Sequence, residues 1–195
     1  TFKPSFCLSL KQRMQNSDQE LTVRLRSEKE RHAAFQELVT RYQERLYWHI
    51  RKIVLHHDDA DDVLQNTFLK VWKNLGQFRE ESSLFIWLYR IATNESITFI
   101  NARKRHTLVS MDDMSDTLKN RLEADDYYEG TAIQKKLQQA ILTLPEKQRL
   151  VFNMRYFDEV PYQQMSEILD TSVGALKASY HHAARKVEDF LTGTD

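Results

Sequence analysis

The chain has 195 residues, with 28 Lys and Arg balanced by 28 Asp and Glu and a hydrophobic share of 41%, enough to bury one core or two small ones. Its single cysteine, Cys7, excludes an intramolecular disulfide and a cysteine-rich zinc module, which fits a cytoplasmic setting. No apolar run approaches the ~20 residues of a membrane span, and four Gly, three Pro and apolar residues at three- and four-residue spacing predict an all-α fold.

Residues 1–26 read as an N-terminal extension, disordered in part. Phe6 to Leu10 is too short and polar for a secretory signal, and Met14 opens a polar stretch. Phe35, Leu38, Val39, Tyr42, Leu46, Ile50, Ile53 and Val54 then mark one face of a long helix that breaks at His56-His57-Asp58-Asp59. A second helix buries Val63, Leu64, Thr67, Phe68, Val71, Trp72 and Leu75. It turns Asp61, Asp62, Gln65, Asn66, Leu69, Lys70 and Lys73 outward or sideways, and Gly76 stops it. A polar loop from Phe78 to Ser83 follows, in which Ser82 or Ser83 caps a third helix. That helix runs through Trp87, Tyr89 and Ile91 to a basic end at Arg103, Lys104 and Arg105.

Residues 107–130 form an acidic linker, where carboxylates from Asp112 to Glu129 face only Lys119 and Arg121. The zero net charge therefore hides neutral-to-basic segments on either side. Beyond the linker, Ile133, Leu137, Ile141 and Leu144 start a helix, Pro145 takes a first helical position, and Val151, Met154 and Tyr156 carry the next one. A helical hairpin closes the chain: Tyr162 to Leu169, the turn Asp170-Thr171-Ser172, and Val173 to Phe190. Ser172 caps the second hairpin helix, with Thr171 as the alternative one residue earlier. The outward face of that helix offers Lys177, Ser179, His181, His182 and Arg185, donors suited to phosphate oxygens and base edges. The geometry permits major-groove reading, although helical hairpins also occur in proteins that touch no DNA.

The run Asp59-Ala60-Asp61-Asp62-Val63-Leu64-Gln65-Asn66-Thr67-Phe68-Leu69-Lys70-Val71-Trp72, then Phe78-Arg79 and Trp87 to Asn94, resembles the first domain of bacterial sigma factors. Leu144 to Arg149, Arg155-Tyr156-Phe157 and the hairpin with Val173-Gly174-Ala175-Leu176-Lys177 resemble the promoter-binding domain of the small extracytoplasmic-function (ECF) group. The two blocks stand in family order from about Ser27 to Leu191. The resemblance implies two small helical domains, a region 2 domain at 27–106 and a region 4 helix-turn-helix domain at 131–192, joined by a flexible acidic linker.

It also implies partners: core RNA polymerase, promoter DNA and, by family habit alone, an anti-sigma protein. Core polymerase would dock on Asp61, Asp62, Gln65, Asn66, Leu69 and Lys70. Minus-ten recognition and strand opening would fall to Phe78, Arg79, Ser82, Ser83, Trp87, Tyr89, Asn94, Arg103, Lys104 and Arg105. Of Trp87 and Tyr89, two apart on one helix, only one can face the strand. Minus-thirty-five reading would fall to Ser172, Lys177, Ser179, His181, His182 and Arg185. Here the chain departs from the family, since Ser179, His182 and Ala184 stand where basic residues are frequent.

No enzyme motif is present: there is no His-Glu-x-x-His helix, Gly-rich phosphate loop or nucleophile motif. His56, His57 and the aspartates after them have ligand types, but neither a metal nor a cofactor is expected. The rival reading is a dimeric helix-turn-helix repressor or response-regulator-like protein, which would leave the first domain without a purpose.

Overall fold

A computed structural model describes residues 18–78, 83–106 and 131–193, the side chains of Gln77 and His106 aside. The linker expected at 107–130 and the loop residues Arg79 and Ser82 lie outside the described residues. Among those described, every regular element is a helix. They are α1 (18–26), α2 (Arg31–Val54), α3 (His57–Asn74), α4 (Leu84–His106), α5 (Ala132–Leu142), α6 (Glu146–Tyr156), α7 (Tyr162–Leu169) and α8 (Val173–Thr192).

The long helix α2 buries Ala34, Leu38, Tyr42, Leu46 and Ile50, residues three or four apart that share one face. It ends where Leu55 takes a left-handed conformation (φ 69°) and donates its N–H to the Arg51 carbonyl at 3.0 Å. The break thus falls before the histidines, and His57 opens α3, with Asp58 and Asp59 in the first turn facing the positive end of the helix dipole. A short 3₁₀ turn, Leu75–Gln77, follows α3. Gly76 lies in that turn and does not serve as a left-handed stop. Ser83 supplies the cap of α4, its Oγ accepting from the Ile86 N–H at 3.3 Å.

Helix α1, within the stretch expected to be an extension, packs against the first half. Leu21 and Leu25 of α1 are buried in the same cluster as Leu38 and Leu46. Asp18 accepts from Arg41 at 2.9 Å and from the Tyr42 hydroxyl at 2.5 Å. The sequence reading placed this stretch in the extension because two leucines among charged residues carry too little periodicity alone; their burial depends on α2 lying beside them.

In the second half, α5 starts with a capping box. Thr131 Oγ accepts from the Gln134 N–H, and the Gln134 side chain accepts from the Thr131 N–H at 2.8 Å. Pro145 stands one position outside α6 as its cap. Ala140, Ile141, Leu144, Phe152, Ala183 and Val187 form a local core among α5, α6 and α8. The two halves do not stand apart. α7 packs on α4 and α6 on α2, and Val151, Met154, Val160, Met165 and Ile168 join the apolar cluster of the first half.

If α1 is part of the first domain, Leu25→Ala should lower the chain's stability by about 2–5 kcal/mol, the range for emptying a buried leucine site. Urea unfolding followed by circular dichroism measures this, and a change below half a kcal/mol would return α1 to the extension.

Candidate nucleic-acid interface

On α3 the helical period separates two faces cleanly. Ala60, Val63, Thr67 and Val71 are buried, while Asp61, Asp62, Gln65, Asn66, Leu69 and Lys70 are all exposed. Leu69, 51% exposed, is the apolar member of that outward row. Such a row, with two carboxylates, two amides and a leucine, can make oriented polar contacts around a small apolar centre. Lys70 turns aside to pair with Glu95 of α4.

The residues expected at unpaired strand divide. Asn94 is exposed near the middle of α4. Trp87 is half-buried, its ring 4.7 Å from that of Phe78. Tyr89 corrects the sequence reading: it is fully buried, its ring tilted against that of Phe85 at 4.2 Å and beside the His49 ring at 4.6 Å. Burial, reinforced by the Asp158 carboxylate, pushes its phenol well above the ordinary range. Phe78 is corrected likewise. Its side chain is packed inside, and its carbonyl accepts from Arg26 at 3.2 Å, so only neighbouring groups are left for a base. Ser83 is exposed, but its hydroxyl oxygen already serves as the α4 cap.

The basic end of α4 is partly engaged. Arg103 pairs with Asp59, Lys104 with Glu146 across to the second half, and Arg105 donates to the Asn101 carbonyl at 3.3 Å. These pairs are exposed and individually weak, so phosphates can displace them.

The hairpin is built as a helix-turn-helix. Asp170 turns the chain in a left-handed conformation (φ 49°), and Ser172 accepts from the Ala175 N–H at 3.3 Å as the cap of α8. Leu176, Ala183 and Val187 face inward, which leaves Lys177, His181, His182 and Arg185 exposed on the opposite side and Ser179 half-exposed. The Lys177 ammonium lies 6.0 Å from the Tyr162 ring, and the Arg155 guanidinium approaches the same ring at 5.3 Å.

Sequence reasoning missed the polar contacts that join the two halves. His49, 1% exposed, lies between Asp158 Oδ2 at 3.0 Å and Thr93 Oγ at 2.9 Å, and Lys52 also pairs with Asp158. The Asn153 amide donates to the Lys52 carbonyl at 3.3 Å, and Arg90 donates to the Glu167 carbonyl at 3.1 Å. The available signal was a histidine on the α2 stripe one residue before Ile50, where an apolar side chain is the default.

An α-helical chain with an exposed polar row in one half and a capped helix-turn-helix in the other fits a DNA-binding protein of the transcription apparatus. Residues 38–106 match the Sigma-70 region 2 family and residues 134–187 the Sigma-70 region 4 family. The RNA polymerase sigma-H factor of Pseudomonas aeruginosa is 29% identical over 185 residues, covering 91% of this chain and 95% of its own. The ECF sigma factor SigW of Bacillus subtilis is 29% identical over 156 residues, covering 76% and 83%. Among solved structures, CnrH in complex with the cytosolic domain of CnrY matches with a TM-score of 0.67 at 22% identity, over 91% of this chain and 99% of that one. The chain belongs to the sigma-70 family, in its ECF group.

Because Tyr89 is packed inside the protein, Tyr89→Phe should change stability by less than about 1 kcal/mol. It should also leave promoter melting, read by permanganate reactivity of unpaired thymines, at the parental level. Loss of melting by a folded Y89F protein would put the hydroxyl back at the strand.

Proposed function

We propose that the outward face of α3 docks on core RNA polymerase, that the loop before α4 and the exposed side of α4 open and hold the minus-ten strand, and that α8 reads the minus-thirty-five duplex. The observation that carries this reading is the unbroken exposed row Asp61, Asp62, Gln65, Asn66 and Leu69 in the same chain as a capped helix-turn-helix. A dimeric repressor has use for the second feature and none for the first.

The chemistry of each face supports its task. Carboxylates on α3 suit a basic, oriented protein partner. Asn94 offers an amide to an extruded base, and the exposed edge of Trp87 offers a stacking surface worth ~1–3 kcal/mol per base. On the outward face of α8, Arg185 is the one arginine, beside Lys177 and the neighbouring Lys186, so sequence preference leans on His181, His182 and Ser179 more than on arginines. The chain acts in the cytoplasm, where polymerase and chromosome are, and it is not an enzyme. A second reading concerns control: CnrH was solved with a protein domain bound to it, and a comparable anti-sigma partner would hold this chain inactive.

The test is transcription in vitro with sigma-free core polymerase and a library of promoter sequences. Specific starts that require the chain are expected; a palindromic footprint by the chain alone, with no polymerase dependence, would favour the repressor. Reversing Asp61 and Asp62 to Lys should weaken core binding at least tenfold with helix content unchanged. Lys177→Ala and Arg185→Ala should instead spare core binding, weaken promoter binding across sequences, and each reduce its log-log salt slope by about 1. Equal loss of both activities in all four variants would defeat the division of labour.

A further inference from the structure

The chain reverses between α2 and α3 within two residues. Leu55, in its left-handed conformation, ends α2; His56 then takes an extended backbone (φ −123°, ψ 141°) as the cap of α3, and His57 and Asp58 open that helix. In a regular helix consecutive side chains diverge by about 100°, and in a strand by about 180°. The switch from extended to helical backbone at this corner does neither. It brings three consecutive side chains together, so that one nitrogen of each imidazole and one oxygen of the Asp58 carboxylate all lie within 4.8 Å of one another. His57 Nε2 is 3.0 Å from Asp58 Oδ1, His56 Nδ1 is 3.8 Å from Asp58 Oδ2, and the two rings are 5.1 Å apart. The order His-His-Asp-Asp does not show this convergence; the reversal creates it.

The charges around the corner decide what it can hold. Cations of the adjoining elements are turned elsewhere: Lys52 to Asp158, Arg103 to Asp59 and Lys104 to Glu146. Among the described residues Asp58 pairs with neither lysine nor arginine, and the groups that face it are the two imidazoles. Two imidazoles and a carboxylate are ligand types of zinc and its first-row neighbours, whereas magnesium and calcium take oxygen sets. With metal–ligand distances of about 2.0–2.2 Å, atoms sharing one ion stand roughly 3–3.5 Å apart. The shorter two separations bracket that range, and small rotations of side chains that reach solvent close the rest. The positive end of the α3 dipole, equivalent to about half a charge, opposes a cation. Asp58, Asp61 and Asp62, which share one face of α3 and pair with no lysine or arginine, outweigh it.

We propose that His56, His57 and Asp58 bind a divalent ion of the zinc class, with water in its remaining positions, at the head of the exposed row on α3. The bound ion stands about one turn from Asp61 and Asp62. Its consequence rests on the reading of that row as the polymerase docking face: the loaded site cancels part of the row's negative charge and weakens its hold on a basic partner.

Calorimetric titration of the full chain with zinc chloride tests the site without polymerase, so it stands or falls apart from the promoter reading. A Cys7→Ser background removes the one competing thiol. The expected result is one ion per chain at a micromolar dissociation constant, with ¹⁵N NMR of the labelled histidines showing that the His56 and His57 rings respond. His56→Ala with His57→Ala should weaken binding by about tenfold or more with helix content by circular dichroism unchanged. His181→Ala with His182→Ala, the other adjacent pair, should leave binding intact. Absence of binding, equal binding by the H56A/H57A variant, or the same ring response to magnesium chloride would each overturn the site. With core polymerase added, zinc should weaken docking of the parental chain and spare that of H56A/H57A; an equal zinc effect on both would overturn the consequence for docking.

Discussion

Burial along a single face of α2 is the constraint on which the remaining structure depends. Leu38, Tyr42, Leu46 and Ile50 are shielded almost completely because α1, α3 and α4 all pack around the same helix, and the second half closes over its C-terminal part. Each such side chain stabilises the fold by roughly 1.5–3 kcal/mol when buried, so a 24-residue helix that would be marginal in water becomes the fixed axis of the protein. The polar row on α3 is exposed for the same reason. Once Val63, Thr67 and Val71 must face α2, geometry leaves Asp61, Asp62, Gln65 and Leu69 outward.

Function is then distributed by what packing leaves over. On α3 the remainder is a polar row with one leucine; on α8 it is an exposed strip that includes Lys177, Arg185, Lys186 and two histidines. On α4 the remainder is smaller, because that helix is pressed by α2 and α3 on one side and by α7 on another. This is why Tyr89 and Phe78, aromatic residues in a segment assigned to unpaired strand, serve the core instead. Trp87 keeps part of its surface only by lying against Phe78 at the edge.

Helical periodicity was legible in the sequence wherever a helix has one clear apolar face. The partition of α3 into buried and outward residues follows from spacing alone, while the caps were legible only to within one residue, as Ser82 or Ser83 and as Ser172 or Thr171, and the structure gives Ser83 and Ser172. Less legible were choices that depend on a third element. Trp87 and Tyr89 differ in local pattern by nothing that says which one α2 covers. α1 needed α2 beside it to make sense of Leu21 and Leu25. The His49 and Asp158 contact joins residues more than a hundred positions apart, and no local rule links a histidine in an apolar stripe to an aspartate in a distant turn.

The closed arrangement is cohesive but not tight, and the magnitudes explain why that suits a factor that must open. Its exposed link, Lys104 to Glu146, is of a kind worth 0–1 kcal/mol, easily exchanged for phosphate. Its apolar contacts resist water without specifying a partner. The directional part is the buried Asp158 carboxylate between His49 and Lys52, with the Asn153 amide on the Lys52 carbonyl and Arg90 on the Glu167 carbonyl beside it. A polymerase surface and a promoter strand that bind better to separated halves must offset these polar contacts together with the shared apolar cluster, and they shift the population only by that differential affinity.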